Sequence, residues 1–154
     1  MKKLVVFIIV VLCLVVSLYY PKNVKQILNL DSSGKYELYI NNQFNEKNSN
    51  LSYTSLGSGE VVTGMVKSIK DVYDYLIGKD GECLTVNYNK NFLDDLLSKI
   101  VVRVTENYDN TKIYYGFLKG LPKKIKINGK LINISIYVSS NEIKIASPII
   151  LTSF

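Results

Sequence analysis

The stretch "IKINGKLINISIYVSSNEIKIAS", residues 125–147, decides the fold. Alternate residues of its central part are apolar and share one face of an extended chain: Ile132, Ile134, Ile136 and Val138. The residues between them share the other face: Asn133, Ser135 and Tyr137. Asn128-Gly129 is a strong signal for a type I′ hairpin turn, residues 139–141 turn the chain again, and Pro148 ends or edges the ladder. The stretch therefore predicts an antiparallel sheet with one apolar and one polar face.

Two amphipathic helices are predicted upstream of this stretch. In "SIKDVYDYLIG", residues 68–78, the apolar positions follow the i, i+3, i+4, i+7 pattern, Ser68 can cap the start and Gly78 can end the helix. In "NFLDDLLSKI", residues 91–100, Asn91 is the expected cap. Strands are predicted around the helices, at residues 35–41, 60–66, 82–88 and 101–108, with a further one in 51–59 as an option. The order predicts an α+β fold, a largely antiparallel sheet with two helices packed on one face.

The N-terminus predicts a membrane segment. Lys2 and Lys3 precede residues 4–20, which carry no charge and as a helix would span roughly 26 Å, the short end of a membrane crossing. Residues 17–19 make a poor signal-peptidase site, and Cys13 lacks the small residue before it that a lipoprotein would need. An uncleaved anchor fits better than either alternative. The predicted organisation is an anchor over residues 1–21, a stalk over 22–34 and a domain outside the cytoplasm over 35–154.

The composition argues against catalysis. The chain contains no histidine, and histidine is the commonest general base and metal ligand. Neither a Cys-His nor a Ser-His nucleophile can therefore be built. Cys13 lies in the apolar segment, so no intramolecular disulfide is predicted, and Cys83 is expected to be a small buried hydrophobe. No cofactor and no metal site are predicted.

An envelope enzyme that uses carboxylates, such as a glycan hydrolase, is the alternative. Asp94 and Asp95 are adjacent on a predicted helix and so point about 100° apart. Asp71 and Asp74 lie three residues apart and could meet, but the polar face of a helix carries such pairs routinely. The spacing of the acids therefore does not favour hydrolysis.

The positive charge is concentrated in one segment. The chain has a net charge of +6, and residues 112–130 contain six lysines and no acid. The candidate site for an anionic polymer or a membrane-protein partner consists of these lysines and one tyrosine: Lys112, Lys119, Lys123, Lys124, Lys126, Lys130 and Tyr115. Tyr114 and Tyr115 cannot both face inward on a strand, so one is expected beside the lysines. The alternative is a solvated edge whose lysines discourage strand pairing.

Tyrosines are a second candidate for binding. Ten of the twelve tyrosines lie beyond the apolar segment, enough to line a cleft in which ring faces stack on a sugar: Tyr36, Tyr39, Tyr53, Tyr73, Tyr75, Tyr88, Tyr108, Tyr114, Tyr115 and Tyr137. The alternative for most of them is packing in the core.

Several segments resemble one known family: "VVTGMVKSIKDVYDYL", Asn128-Gly129-Lys130, Asn133, Ala146-Ser147-Pro148-Ile149-Ile150 and terminal Phe154. Over about residues 59–154 the chain resembles the YwmB family of exported Firmicute proteins. Ala146 stands where the family motif has glycine, and residues 151–154 replace its acidic-aromatic end. The resemblance implies a TATA-box-binding-like fold and an exported, sporulation-linked setting. The family has no established activity, so no functional residue carries over.

The fold that this resemblance implies also suggests DNA binding, but the composition of the chain argues against it. A minor-groove saddle uses basic side chains and apolar wedges, but Arg103 is the single arginine and phenylalanines are few. No nucleic acid partner is predicted. We therefore expect a non-catalytic, membrane-anchored binding or scaffold module of the bacterial cell envelope. A carboxylate enzyme and a regulator of another membrane protein are the alternatives.

Overall fold

The computed structural model describes residues 8–9, 34–41, 47–57, 59–67 and 79–148. The predicted anchor (1–21) and stalk (22–34) therefore lie outside the described residues, apart from Ile8, Ile9 and Gly34. The predicted helix over residues 68–78 also lies outside them, although Val66 and Lys67 before it have helical backbone. In the part of the chain that is described, no helix is long and apolar enough to cross a membrane.

One large antiparallel sheet dominates the described residues. The elements follow the chain in this order: β1 Lys35–Ile40, β2 Ser52–Leu56, β3 Gly59–Met65, β4 Lys79–Asn87, α1 Lys90–Ser98, β5 Val101–Tyr108, β6 Thr111–Phe117, β7 Ile125–Ile127, β8 Lys130–Ile132, β9 Ile134–Val138 and β10 Glu142–Ser147. Eight strands form the sheet in the order β2-β3-β1-β4-β10-β9-β6-β5, and β7 and β8 form a separate hairpin. The predicted α+β fold with a largely antiparallel sheet is confirmed.

Helix α1 packs on one face of the sheet, which we call the helix face. Leu93 and Leu96 of the helix belong to the same buried cluster as Leu84, Ile136 and Ile145 of the strands. The predicted cap is wrong by two residues, because Asn89 has extended backbone and its side-chain oxygen accepts a hydrogen bond from the Phe92 N–H at 3.0 Å. The helix therefore begins at Lys90, before the predicted cap Asn91.

The opposite face of the sheet is not uniformly polar, contrary to the prediction. Tyr39, Val61, Cys83 and Ala146 form a second buried cluster there. Ser135 is also buried, and β10 places Ala146 directly between Ser135 of β9 and Cys83 of β4. Small side chains meet on three neighbouring strands, which alternation along a single strand does not reveal.

The strand predicted through residues 132–138 is split at Asn133. The turn at Asn128 (φ 48°) and Gly129 (φ 74°) is confirmed, but it joins β7 to β8 outside the large sheet. Asn133 is fully buried and ends this hairpin, and its backbone N–H donates to the Gly116 carbonyl at 3.0 Å. The chain then enters β9, which pairs with β6 and β10.

Candidate functional site: a basic cluster beside a tyrosine cleft

The loop that carries most of the predicted lysines is held from the inside. Leu118 and Leu121, at its start, are buried in the core on the helix face. The Asn133 side chain accepts a hydrogen bond from the Leu118 N–H at 2.7 Å and donates to the carbonyls of Leu118 and Leu121 at 2.7 and 3.3 Å. The backbone at the start of the lysine-bearing loop is therefore held in place by buried contacts.

Two cations lie over one aromatic ring at the end of β6, and a third is hydrogen-bonded to the backbone of one of them. The Arg103 guanidinium carbon lies 5.6 Å from the centroid of the Phe117 ring, and Lys124 Nζ lies 5.5 Å from the same centroid. Lys130 Nζ donates to the Arg103 carbonyl at 2.8 Å. These residues come from β5, the loop and β8, and we call Arg103, Lys124 and Lys130 the basic cluster. Both ring contacts are within cation–π range.

Lys123 points toward a different partner. Its Nζ lies 2.6 Å from Asp80 Oδ1 on β4, so its charge is partly compensated. Asp80 follows Lys79, whose Nζ lies 3.8 Å from Glu82. Burial lowers the pKa of Lys79, the nearby Glu82 opposes this shift, and the charge of Lys123 adds to it. Lys123 therefore contributes less than Lys124 to an anion-binding surface.

The remaining predicted lysines do not form one patch with the basic cluster. Lys119 and Lys126 are exposed, in the turn after β6 and on β7. Lys112 lies at the start of β6, and its Nζ lies 5.0 Å from the centroid of the Tyr114 ring on the helix face. The length of β6 thus separates Lys112 from the basic cluster.

Tyr115 faces away from Tyr114, on the same sheet face as Phe117. Both tyrosines are half-buried. The pKa of Tyr115 is raised by burial, then by the neighbouring Tyr137 and Glu106, with which it also hydrogen-bonds. Glu106 also accepts a hydrogen bond from the Tyr108 hydroxyl at 3.2 Å. Tyr115 therefore belongs to a tyrosine–carboxylate group beside the lysine-bearing loop.

This group borders a cleft of about 530 Å³, which we call the tyrosine cleft. Its lining comes from the ends of β5, β6 and β9: Tyr108, Asp109, Asn110, Thr111, Ile113, Tyr115 and Tyr137. Ile113 and Tyr137 are buried and form the floor, whereas Tyr108 is 58% exposed at the rim. The volume lies within the range of small-molecule sites.

Tyr108 and Tyr137 were among the tyrosines that could line a cleft or pack in the core, whereas Arg103 and Glu106 were not among the predicted site residues. Their neighbours are set by the pairing of β5 with β6, and the register shifts between Val102 and Val104. The shift lets Arg103 reach the Phe117 ring. A bulge of this kind leaves no mark in an alternating strand sequence, so no local signal pointed to Arg103 or Glu106.

The buried acids of the described residues have partners from other parts of the fold. Glu60 Oε1 lies 3.2 Å from Lys47 Nζ, and Glu82 accepts a hydrogen bond from the Tyr36 hydroxyl. On the surface, Asp95 Oδ2 lies 2.6 Å from Lys99 Nζ. Within the described ranges, no group of three or more Cys, Asp or Glu side chains could hold a metal ion.

Comparison of the chain with protein-family models, with curated proteins and with solved structures finds no match. The resemblance to the YwmB family therefore stays a prediction. The functional argument rests on the geometry of the basic cluster and the tyrosine cleft.

Proposed function

We propose that the protein is a non-catalytic binding module of the bacterial cell envelope, and that its basic cluster holds an anionic polymer. The observation that carries the proposal is the position of Arg103 and Lys124, whose charged groups lie 5.6 and 5.5 Å from the centroid of one ring. Lys130 joins them through the Arg103 carbonyl. Three cations from separate elements converge on one exposed end of the sheet.

The number of cations favours a polymer over a single anion. Individual exposed charges attract weakly, and salt screens them over about 8–10 Å. A chain of phosphates engages several cations at once, so that each further contact is intramolecular and adds avidity.

The location outside the cytoplasm is part of the proposal. Its support is the uncharged segment of residues 4–20 behind Lys2 and Lys3, which would serve as a single-pass membrane anchor. The resemblance to the YwmB family and a TATA-box-binding-like arrangement of the sheet belong to the same proposal. An antiparallel sheet with a helix on one face is compatible with both.

A protein partner is the second candidate, because β5 forms an edge of the sheet. Val101 is 60% exposed and Val102 is 40% exposed on this strand. An edge strand with exposed apolar side chains can accept a strand from another chain. On this alternative the protein would regulate another membrane protein. An envelope enzyme has less support, since Glu60, Glu82 and Asp95 are engaged in the contacts described above.

Cell-wall sacculi test the proposal directly. The full-length chain is mixed with sacculi that retain or lack teichoic acid, across a salt series. We expect binding that needs the teichoic acid and weakens as salt rises. The double variant Arg103→Glu/Lys124→Glu should lose it, whereas Lys90→Glu, an exposed lysine of α1, should not. Binding that ignores salt and the double variant would contradict the proposal, and a defined copurifying protein would favour the edge-strand alternative.

A further inference from the structure

The basic cluster and the tyrosine cleft follow one another on the same sheet face. Phe117 and Tyr115 are two residues apart on β6, so their side chains leave that face about 7 Å apart. Arg103 and Lys124 lie beside the Phe117 ring, whereas Tyr115 forms one wall of the cleft. A ligand that follows β6 from its C-terminal end therefore meets cations first and tyrosine rings next.

The lining of the tyrosine cleft suits a sugar ring. Tyr108 presents an exposed aromatic ring at the rim, and such a ring can stack on the apolar face of a pyranose. The turn after β5 adds the carboxylate of Asp109 and the amide of Asn110, and the start of β6 adds the hydroxyl of Thr111. These groups can accept hydrogen bonds from sugar hydroxyls, and the amide and the hydroxyl can also donate hydrogen bonds to them. An apolar floor with a few polar groups at the rim is the usual composition of a small-molecule site.

The charges of the basic cluster and the tyrosine cleft determine which part of a ligand would bind in each of the two sites. Asp109 lines the tyrosine cleft, and the Glu106 carboxylate lies beside it, held by the hydroxyl of Tyr108. An anionic group would be repelled there and attracted to the basic cluster. The cleft is therefore suited to an uncharged, hydroxyl-rich group that is attached next to an anion.

We infer that the two sites form one groove for a glycosylated polyol-phosphate polymer. A phosphodiester lies against Arg103 and Lys124, and a sugar substituent lies in the tyrosine cleft with its apolar face on Tyr108. The inference rests on the proposed function and names the class of polymer that the module selects. The basic cluster provides attraction to any such polymer, and the cleft provides the preference for a glycosylated one.

The test compares poly(glycerol phosphate) chains of equal length that are either unsubstituted or glucosylated. A third probe carries alanyl esters, since tyrosines beside carboxylates could instead receive an ammonium group. We expect the full-length chain to bind the glucosylated polymer about tenfold more tightly than the other two, as one well-placed stacking contact allows. Tyr108→Ala should lose the preference and bind the glucosylated and the unsubstituted polymer about equally.

Tyr88→Ala is the matched control, because Tyr88 is exposed and does not line the cleft, and it should keep the preference. Equal binding of the glucosylated and unsubstituted polymers by the wild-type chain overturns this inference and leaves the proposed function standing. Tighter binding of the alanylated polymer, or a preference that survives in Tyr108→Ala, also overturns it. Failure to bind any of the polymers overturns the proposed function and this inference together.

Discussion

The hydroxyl of Tyr36 on β1 donates a hydrogen bond to the buried carboxylate of Glu82 on β4. The two side chains lie diagonally across neighbouring strands on the helix face, since Tyr36 is paired with Leu84 and Glu82 with Leu38. Lys79 Nζ lies 3.8 Å from the same carboxylate. The Glu82 carboxylate thus lies on a largely apolar face, where each hydrogen bond to it carries more weight than on the surface.

Removal of the Tyr36 hydroxyl should therefore destabilise the fold. We expect Tyr36→Phe to lower the free energy of unfolding by about 1.5–3 kcal/mol, the range for a hydrogen bond to a charged group. Urea denaturation of the full-length chain measures it. Tyr88→Phe removes the same atom from an exposed tyrosine and should change stability by less than about 0.5 kcal/mol. Equal effects of the two substitutions would show that the buried contact carries no special weight.

The Asn133 side chain should contribute more to the stability of the fold than a single surface hydrogen bond does. Its amide satisfies both the N–H and the carbonyl of Leu118, at the buried start of the lysine-bearing loop. We expect Asn133→Ala to cost about 2–4 kcal/mol, because it leaves buried backbone groups without partners. Asn133→Asp should be no better, since it places an oxygen against the carbonyls of Leu118 and Leu121.

Urea denaturation of these variants, with hydrogen exchange at the Leu118 amide, provides the measurement. Asn107→Ala is the control, because Asn107 is exposed on β5 and should be nearly neutral. If Asn133→Ala were as mild as Asn107→Ala, the loop would not depend on the buried amide. The exchange rate separates a local effect, confined to the loop, from a global loss of stability.

Local features of this fold were predictable from the sequence. The strand over residues 101–108 and the turn at Asn128-Gly129 agree with the structure because both depend on neighbours along the chain. The buried position of Cys83 followed from its strand-forming neighbours in the same way. Such elements need only alternation and turn chemistry.

The candidate site was predictable only in part, because it depends on pairing between strands. Lys112 and Lys124 are close in the sequence, but β6 carries the chain roughly 17 Å between Lys112 and Phe117. Arg103 is farther away in the sequence, and the register of β5 on β6 brings it to Lys124. A run of charge along a chain is therefore a poor guide to a patch in a sheet protein.

The start of helix α1 provides a direct test of a corrected prediction. The Asn89 side chain accepts a hydrogen bond from the Phe92 N–H, whereas Asn91 lies within the helix. We expect Asn89→Ala to cost about 1 kcal/mol through loss of the cap, and Asn91→Ala to be neutral or slightly stabilising. Thermal or urea denaturation of the two variants measures the difference. The reverse order of effects would restore Asn91 as the cap.

The buried thiol of Cys83 should make the stability of the fold depend on pH. Burial, followed by the nearby charge of Glu37, raises the pKa of the Cys83 thiol from 9.0 to about 12. In the unfolded chain the thiol ionises near its ordinary value, while in the folded chain it stays protonated. The folded state therefore binds more protons between about pH 9 and pH 12. The contribution of the buried thiol to the free energy of unfolding is therefore complete below pH 9 and is lost as the pH rises through this window.

The variant Cys83→Ala removes this dependence. Below pH 9 it should be less stable than the wild-type chain, because a fully buried side chain becomes smaller. Between pH 7 and pH 10 the difference in free energy of unfolding between the two proteins should narrow by about 1.4 kcal/mol. Only the wild-type chain has this thiol to ionise on unfolding. Burial also raises the pKa of Tyr36, but both proteins share that group, so it cancels in the comparison. Urea denaturation at the two pH values measures this difference, and a constant difference would mean that the thiol ionises as easily in the folded chain as in the unfolded one.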